Sequence, residues 1–586
     1  MADRSTALRS VARNVVLLGR TAVRHAQDDP MLLSVQTLRR LPSPVRSRVA
    51  SALLSGGSAA SVRHALAHFL ADHPADARQS LAHAQPSSRI ARRVGAEIDI
   101  VLGGTAPLDA APLLRARSAW ARGDVSEAAA VASTSPRRGG QRYAAVLASE
   151  RDLLTPGFRL RQPTTPGRAG GSGSEPSGIR PLHLLINSLP WTQSGYSLRS
   201  HAILRAQHAA GMTVEAMTRI GYPVVVGLPQ ANDVDVVDGI TYRRVVPARL
   251  AATPTGRLEQ TVEAVVGRGR EFGATVLHTT THYPNALTAQ AAADALGVPW
   301  VYEVRGQLEK SWLARRPPED QERAATSERY LLARARETEM ALAADHVVTL
   351  STALRDDLVA QGVPAERISL VPNAVDAGLL ERAETPAEAR ASLGLPEDGF
   401  WVGSVSSIVD YEGFDVLIRA VALLREEGLP VRCAVAGDGV ARPGLRRLAE
   451  RLGISDAVVL PGRVPREESV RWHQALDAFV VPRLDTEVCR TVTPLKPIEA
   501  MALGRPVVAS DLPALAEVVV EPGSGLVAPA GDPHGLAAAL RRLAADADLM
   551  ARLGAGGQRF ARTRTWGAQA ETYRAIYEGL GVSRGA

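Results

Sequence analysis

The sequence predicts an α/β protein in which two doubly wound parallel-sheet domains follow an all-helical region. From Leu182 onward, short buried strands alternate with helical segments, as is typical of parallel sheets covered by helices. A second series of the same kind starts near Trp401. Residues 1–156 are instead rich in alanine, leucine and arginine and lack the period-two alternation of strands.

The helical region and the segment after it differ in composition. Residues 113–128 read as two helices joined at Gly123-Asp124, and this hairpin resembles one tetratricopeptide-type unit. No regular repeat can be established, so an irregular helical bundle is the alternative. Residues 157–180 are rich in Gly, Pro, Ser and Thr, which predicts a flexible linker.

The two α/β domains are predicted at 181–376 and 377–565, each Rossmann-like. The predicted strands are 182–187, 274–277, 300–303 and 346–350 in the first domain, and 401–405, 431–436, 458–460, 478–481 and 506–509 in the second. Domains of this kind bind ligands at the carboxyl ends of their strands. We therefore expect the ligand in the cleft between them.

The positive charge is concentrated at the start of the chain. Residues 1–170 contain 24 Arg and no Lys against 12 Asp and Glu, although the whole chain carries only +7. This surplus predicts that residues 1–156 bind an anionic membrane surface or an acidic protein. The alternative is a bundle whose arginines are simply solvated. Nucleic acid is not expected, because aromatic residues are too sparse for base stacking.

Cysteine and apolar content bear on the compartment. Cys433 and Cys489 have no metal-type spacing, which fits a reducing environment. No apolar run approaches the roughly 18 residues needed to span a bilayer, and the first 24 residues lack the apolar core of a signal peptide. We expect a cytoplasmic protein, to which the basic region would add peripheral attachment at the inner face of the plasma membrane.

The strongest functional signal lies between Thr493 and Ser510. Thr493 and Pro494 predict a helix start, and Pro497 fits only its first turn. Lys496 and Glu499 are three residues apart and therefore share one helix face. A lysine at a helix N-terminus suits a phosphate, and a carboxylate one turn on can accept hydrogen bonds from a ribose diol. Together they predict a site for a nucleotide diphosphate.

Lysine usage strengthens this interpretation. Lys310 and Lys496 are the only lysines among 68 basic residues, so one of the two lies in this motif. Chance placement on a solvated helix start is the alternative.

This segment resembles the donor-site signature of family-4 glycosyltransferases of the GT-B fold, in the variant P-x-K-x-x-E-x-M-A-x-G. Residues 371–376, 436–439 and 460–465 match further pieces of the family pattern in the same order, and the resemblance covers about 180–580. Residues 301–306 and 493–497 are similar to a bacterial polysaccharide-type subgroup. The resemblance implies a retaining, metal-independent transfer of sugar from a nucleotide diphosphate sugar to a glycan or lipid-linked acceptor. It also implies that 566–586 forms a helix crossing back to the first domain.

The resemblance assigns roles to individual residues. Glu499 would hold the donor ribose and Lys496 the diphosphate, with Arg483 and Arg490 as further cations that could equally be surface residues. The remaining implied donor contacts are Thr493, Pro494 and Leu495 in the same loop, and Gly462, Arg463 and Val464, which would receive the base through backbone groups. Gly195 would lie in a glycine loop near the donor or acceptor. His282, like His278, is either an acceptor-site residue or a packed loop histidine.

Three positions depart from the family pattern. Thr491 replaces a glutamate that commonly contacts the transferred sugar, so the sugar cannot be carried over. Residues 406–413 lack the arginine and lysine usual there, and Lys496 with Arg483 or Arg490 would supply that charge. Arg305 stands near the position of a usual histidine, and it can donate to phosphate or sugar but cannot act as a base.

Two other functions remain open at this point. A GT-B nucleotide-sugar epimerase would need carboxylate and histidine acid–base groups in the cleft. A catalytically silent scaffold would combine the helical region with a degenerate transferase. No metal is expected, since the Asp-x-Asp triplets beginning at Asp233 and Asp546 fall outside the predicted cleft.

Overall fold

The computed structural model describes residues 2–28, 30–39, 43–55, 61–86, 88–107, 109–163, 178–382 and 384–582. Most of the predicted linker, 164–177, and the last four residues of the predicted crossover segment lie outside these ranges. Over the described residues the chain folds into a helical region and two parallel-sheet domains, as the sequence predicts. No described helix is both long enough and apolar enough to cross a membrane.

The described part of the helical region comprises nine helices. They are α1 (Ala2–Asp28), α2 (Pro30–Arg39), α3 (Ser43–Leu54), α4 (Val62–Leu70), α5 (Pro74–Ala82), α6 (Arg89–Val101), α7 (Pro112–Arg122), α8 (Val125–Ser133) and α9 (Arg138–Leu154). The predicted hairpin is α7 and α8, and α7 ends at Gly123 with φ 99°. A Cβ at Gly123 would lie 2.6 Å from Ser327 Oγ, so both the left-handed turn and the close approach require glycine.

The first α/β domain contains an eight-stranded sheet in the order β3-β4-β2-β1-β5-β6-β7-β8. Its strands are β1 (Pro181–Leu185), β2 (Glu215–Thr218), β3 (Val234–Val237), β4 (Ile240–Arg244), β5 (Val276–Thr280), β6 (Trp300–Val304), β7 (His346–Thr349) and β8 (Ile368–Leu370). Its helices are α10 (Gly195–Ala209), α11 (Pro254–Phe272), α12 (Tyr283–Leu296), α13 (Leu308–Ala314), α14 (Gln321–Ala325), α15 (Glu328–Ala343) and α16 (Thr352–Ala360). Only the β3–β4 pair is antiparallel. The carboxyl ends of β1, β2, β5 and β6 therefore meet at one edge.

The second α/β domain contains a six-stranded parallel sheet in the order β11-β10-β9-β12-β13-β14. Its strands are β9 (Phe400–Val405), β10 (Val431–Ala436), β11 (Val458–Gly462), β12 (Ala478–Val481), β13 (Val507–Ser510) and β14 (Gly525–Ala528). Its helices are α17 (Pro386–Ser392), α18 (Phe414–Glu426), α19 (Arg442–Arg451), α20 (Arg466–Gln474), α21 (Glu487–Thr491), α22 (Lys496–Ala502), α23 (Pro513–Val519), α24 (Pro533–Ala545) and α25 (Ala547–Thr563).

The last helix, α26 (Trp566–Gly579), returns to the first domain. Tyr573 and Tyr577 are fully buried there against Ile203, Val276 and Val301. The structure thus places a C-terminal helix against the first sheet, in the arrangement that the resemblance implies.

The helical region packs directly on the first α/β domain, although the flexible linker predicted at 157–180 would leave the two separate. On α1, Leu17 is buried against Val224 and Leu250, and Asn14 donates to the Pro229 and Ala231 carbonyls at 3.0 and 2.9 Å. These contacts fix one side of α1 on the domain, while Val15, Val16 and Val23 on the same helix remain exposed.

The start of the predicted linker is also fixed. Leu153 at the end of α9 and Leu160 beyond it are buried in the core of the first domain. Gly157 N donates to Glu339 Oε2 at 3.0 Å, and Arg161 pairs with Glu259 at 2.9 Å. The chain therefore remains attached to the domain past residue 156, where the composition alone predicts a linker.

Candidate functional site

A cleft of about 1380 Å³ opens between the two sheets, lined by the loops at their carboxyl ends. The first domain contributes the N-terminus of α10 and the loop after β6, and the second contributes the loops after β9, β10 and β12. The α22 N-terminus and the start of α26 complete the lining. The cleft lies where the two-domain architecture predicts a ligand.

Lys496 and Glu499 meet in this cleft at the start of α22. Lys496 is the first residue of the helix and Pro497 the second, so the proline sits where no backbone N–H is needed. The helix begins after Leu495, two residues later than Thr493 and Pro494 suggest. Lys496 Nζ donates to Glu499 Oε2 at 2.7 Å, and both side chains are partly exposed to the cleft.

A buried histidine lies beside the Glu499 carboxylate. His473 Nε2 lies 3.3 Å from Glu499 Oε2, and its ring stacks on Phe479. Burial would raise the pKa of Glu499, but the Lys496 charge and His473 outweigh it and lower the pKa to about 2. Burial also lowers the pKa of His473, so the imidazole is neutral and the carboxylate ionised near pH 7.

Arg483 lines the same cleft and is already paired. Its guanidinium donates to both Glu412 oxygens at 3.1 and 2.8 Å and to the Val492 carbonyl at 2.9 Å. Burial lowers the pKa of Arg483, but Glu412 more than compensates and raises it. Glu412 lies in the 406–413 stretch that lacks the usual cations, so Arg483 supplies positive charge beside that stretch.

Arg490 lies outside the lining of the cleft, which is the surface alternative that the sequence left open. Its side chain is 57% exposed and pairs with Asp485. The pair neutralises the guanidinium on the surface of α21, outside the lining of the cleft. Arg483 and Lys496 therefore remain as the cations of the donor loop.

The other predicted donor contacts lie in or beside the cleft. Thr493, Pro494, Leu495, Arg463 and Val464 line it. The Thr493 Oγ1 hydroxyl is buried without a hydrogen-bond partner. Gly462 ends β11 with φ 91° and is not part of the lining itself.

The Thr493 loop also joins the two domains. The Thr493 carbonyl accepts a 3.0 Å bond from Asn373 of the first domain. Thr491, which departs from the family pattern, bonds to Gln307 at 3.3 Å. It does not line the cleft, so no side chain takes the place of the family glutamate there.

Arg305 lines the cleft from the first domain and is held in a buried ionic network. It donates to Glu303 at 2.9 Å and to Ser200 Oγ at 2.7 Å. Glu303 also accepts from Arg199 at 2.8 Å and lies 3.2 Å from His278. Burial raises the pKa of Glu303, but the two arginines and His278 hold it well below its usual range. Arg305 is thus fixed in place as a permanent cation.

Gly195 and the two histidines are placed differently from one another. Gly195 begins α10 at the cleft, and a Cβ there would meet open space. His278 is fully buried within β5 and bonds to Tyr577 at 2.8 Å, which makes it a packed core histidine and not an acceptor-site residue. His282 does not line the cleft and lies instead at a second cavity beside the helical region.

Among the described residues, no group of carboxylates and histidines in the cleft is arranged to hold a metal ion. Asp233 pairs with Arg13 and Asp546 caps α25, so neither Asp-x-Asp triplet reaches the site. The single described group with suitable geometry is His68, His73 and Asp76, in the helical region.

His473, Glu412 and Asn373 are partners of the site that no sequence pattern indicates directly. Each contacts its partner across a large sequence separation, and His473 lies on a polar helix with no motif of its own. Asn373 was within a matched segment, 371–376, which is the one signal that could have identified it.

Comparison with known proteins matches both α/β domains. The family model of group 1 glycosyl transferases matches residues 386–560, and the model of glycosyl transferase 4-like domains matches 194–374. D-inositol 3-phosphate glycosyltransferase of Streptomyces avermitilis is 32% identical over 41% of this chain and 53% of its own length. The chain thus spans about half the length of that relative. The Catenulispora acidiphila D-inositol 3-phosphate glycosyltransferase 1 is 28% identical over 69% of this chain and 96% of its own length.

Solved structures show the same fold. Sucrose-phosphate synthase from Thermosynechococcus elongatus aligns with a TM-score of 0.55 at 21% identity, covering 69% of this chain and 99% of the other. HepE of Anabaena, solved in complex with UDP, aligns with a TM-score of 0.53 at 17% identity, covering 68% and 100%. With both domain models matched in order on two parallel-sheet domains, the chain belongs to the family-4 glycosyltransferases of the GT-B fold.

Proposed function

We propose that this protein transfers a sugar from a nucleotide diphosphate sugar to an acceptor hydroxyl, with retention of configuration and without a metal. The observation that carries the proposal is the Lys496–Glu499 pair at the cleft, with Arg483 beside it. A cation and a carboxylate so placed suit a diphosphate and a ribose diol on one ligand. HepE, which shares the fold, was solved with UDP, so UDP-sugars are the first donors to test.

In this proposal, different side chains bind the ribose and the diphosphate of the donor. Glu499, kept ionised by Lys496, would accept hydrogen bonds from the ribose hydroxyls. Lys496 and Arg483 would face the diphosphate, where charge develops as the bond from the anomeric carbon to the phosphate oxygen breaks. The leaving phosphate oxygen would take the acceptor proton as the new bond forms on the same face. The protein then contributes fixed positive charge and orientation, with no side chain required as a base.

An epimerase and a silent scaffold are less well supported. The matched relatives are glycosyltransferases, and Lys496, Arg483 and Arg305 bring to the described cleft the positive charge that a leaving diphosphate requires. A role in cell-surface glycan or glycolipid synthesis follows from the subgroup resemblance and is part of the proposal. Cytoplasmic location and membrane or acidic-protein attachment through residues 1–156 stay predictions from composition.

A donor screen tests the proposal. The full chain is heated with UDP-, GDP- and ADP-sugars, and we expect one nucleotide class to raise the melting temperature. The best donor is then incubated with and without candidate acceptors, and free nucleotide is measured. Release that depends on an acceptor supports transfer; binding of no nucleotide diphosphate at all contradicts the donor site.

A further inference from the structure

A second cavity of about 1340 Å³ lies between the helical region and the first α/β domain. Helices α1, α7 and α9 form one side, and the loops after β2 and before α11 form the other with the N-terminus of α12. We call it the arginine chamber, because seven arginines line it against one carboxylate, Glu150, among the described residues.

Five of these arginines have no carboxylate within ion-pair distance among the described residues. They are Arg20 and Arg24 on α1, and Arg219, Arg249 and Arg257 on the first domain. Several bond instead to backbone carbonyls: Arg20 to Ala248 at 3.2 Å, Arg24 to Ala251 at 3.3 Å, and Arg257 to Ala251 at 3.0 Å. A carbonyl orients a guanidinium but does not cancel its charge, so the chamber is left strongly positive.

The surroundings show the same excess of positive charge. Burial lowers the pKa of the Arg257 guanidinium, and the nearby positive charge of Arg24 lowers it further. His282 Nδ1 is buried at the chamber without a hydrogen-bond partner. Like charges that line one cavity repel each other, and an anionic ligand would relieve that repulsion. Arg20 and Arg249 are exposed, so a ligand from solution can reach them.

The chamber also has apolar walls and lies next to the cleft. Leu17 and Leu250 contribute to its lining from its two sides. His282 follows Thr281, whose Oγ1 accepts a 2.7 Å bond from the backbone N–H of Arg305 in the cleft. The loop after β5 therefore connects the two linings, with His282 at the chamber and Thr281 bonded to Arg305 of the cleft.

We propose that the arginine chamber binds a phosphate monoester group of the acceptor, and that α1 completes this site by contributing Arg20 and Arg24. The identity of the ligand as an acceptor rests on the proposed function; the binding of a phosphate monoester does not. The added helical region is on this view a specificity element, because it supplies cations that the first α/β domain lacks by itself.

Two soluble probes test the chamber and distinguish the source of the phosphate. Glucose 6-phosphate carries the group on a hydrophilic sugar, and decyl phosphate carries it on an apolar chain. Calorimetry with the full chain should detect at least one of them, while glucose should not bind. Tighter binding of decyl phosphate would support a lipid-linked acceptor and tighter binding of glucose 6-phosphate a soluble one; absence of both overturns the proposal.

Matched variants locate the binding. In Arg20→Gln/Arg249→Gln, affinity for the better probe should fall at least about tenfold, since two charge-assisted contacts are lost. Arg20→Lys/Arg249→Lys should recover part of it. The control Arg92→Gln/Arg138→Gln removes two exposed arginines of the same helical region that do not line the chamber, and should change affinity less than about twofold. Equal losses in the two glutamine variants would overturn the proposal.

Nucleotide binding separates this proposal from the donor assignment. Arg20→Gln/Arg249→Gln should bind UDP, or whichever nucleotide the screen identifies, as tightly as the unaltered chain. If no nucleotide binds but the probe still depends on Arg20, the chamber stands and the donor assignment fails. If nucleotide binds and the probe does not depend on Arg20, the chamber proposal fails alone.

Discussion

Lys496 Nζ and Glu499 Oε2 form a 2.7 Å ion pair, so two groups expected to meet different parts of a donor neutralise each other in this structure. Donor binding would have to divide this pair, with the ammonium turning to the diphosphate and the carboxylate to the ribose. The two side chains are thus coupled, and their substitutions should affect different fragments of the donor.

Lys496→Ala and Glu499→Ala should therefore differ in which ligand they weaken. Each should cost about 1.5–3 kcal/mol in affinity for the nucleoside diphosphate, because charge-assisted hydrogen bonds are lost. Lys496→Ala should cost more for the diphosphate than Glu499→Ala, since it leaves Glu499 unpaired near the phosphates. For the unphosphorylated nucleoside, Glu499→Ala should cause the larger loss of affinity. Calorimetry of both ligands with both variants measures which substitution costs more for each ligand.

Arg490→Gln is the matched control for these substitutions. Its guanidinium is exposed and paired with Asp485 outside the cleft, so nucleotide affinity should change by less than about twofold. A loss as large as that of Lys496→Ala would mean that α21 moves to bring Arg490 onto the donor, and would contradict the site as described.

The low pKa of Glu499 should make a defined contribution to acid stability. The usual carboxyl value of 4.5 falls to about 2 on folding, so the stabilisation is present above pH 4.5 and is lost as the pH falls from about 4.5 to 2. The full effect is at most about 3 kcal/mol. In Glu499→Gln this part of the pH dependence should disappear. Urea unfolding of both proteins between pH 3 and 7 measures the free energy of unfolding as a function of pH. If the two proteins show the same pH dependence, the Lys496–Glu499 pairing is contradicted.

The proposed chemistry predicts the configuration of the product and its independence of metal. Proton NMR of the new glycosidic bond should show the anomeric configuration of the donor sugar, and EDTA should leave turnover unchanged. The described cleft contains no cluster of metal-binding side chains, so charge on the leaving diphosphate would be met by Lys496 and Arg483. An inverted linkage, or loss of activity in EDTA restored by a divalent cation, would refute this mechanism.

Local sequence signals predicted the architecture well because they depend on neighbouring residues. The buried strands β1, β6, β9, β10 and β12 were found from continuous apolar runs. Strands β2, β3, β4, β8 and β14 were missed. Of these, β3, β4 and β8 are only partly buried, and polar residues interrupt their apolar runs. Lys496 and Glu499 were found because both lie in one motif.

Partners distant in sequence could not be predicted. The Glu412–Arg483 pair is 71 residues apart and the Glu303–Arg199 pair 104 residues apart, and no local pattern links either pair. Arg490 illustrates the converse: its position in the donor loop favoured a role at the cleft, but Asp485, five residues earlier, holds it on the surface.

The helical region should contribute to the stability of the first α/β domain, whereas its composition predicted independence. Leu153 is 2% exposed and packs in the core of that domain, so Leu153→Ala should lower its free energy of unfolding by about 2–5 kcal/mol. Leu331→Ala is the control, because Leu331 is 53% exposed on a helix, and should change it by less than about 0.5 kcal/mol. Urea unfolding of the full chain, followed by hydrogen exchange in β5 and β6, measures both. If Leu153→Ala leaves exchange in these strands unchanged, the helical region is an independent module, and a chain beginning at Gly178 should then be as stable as the full protein.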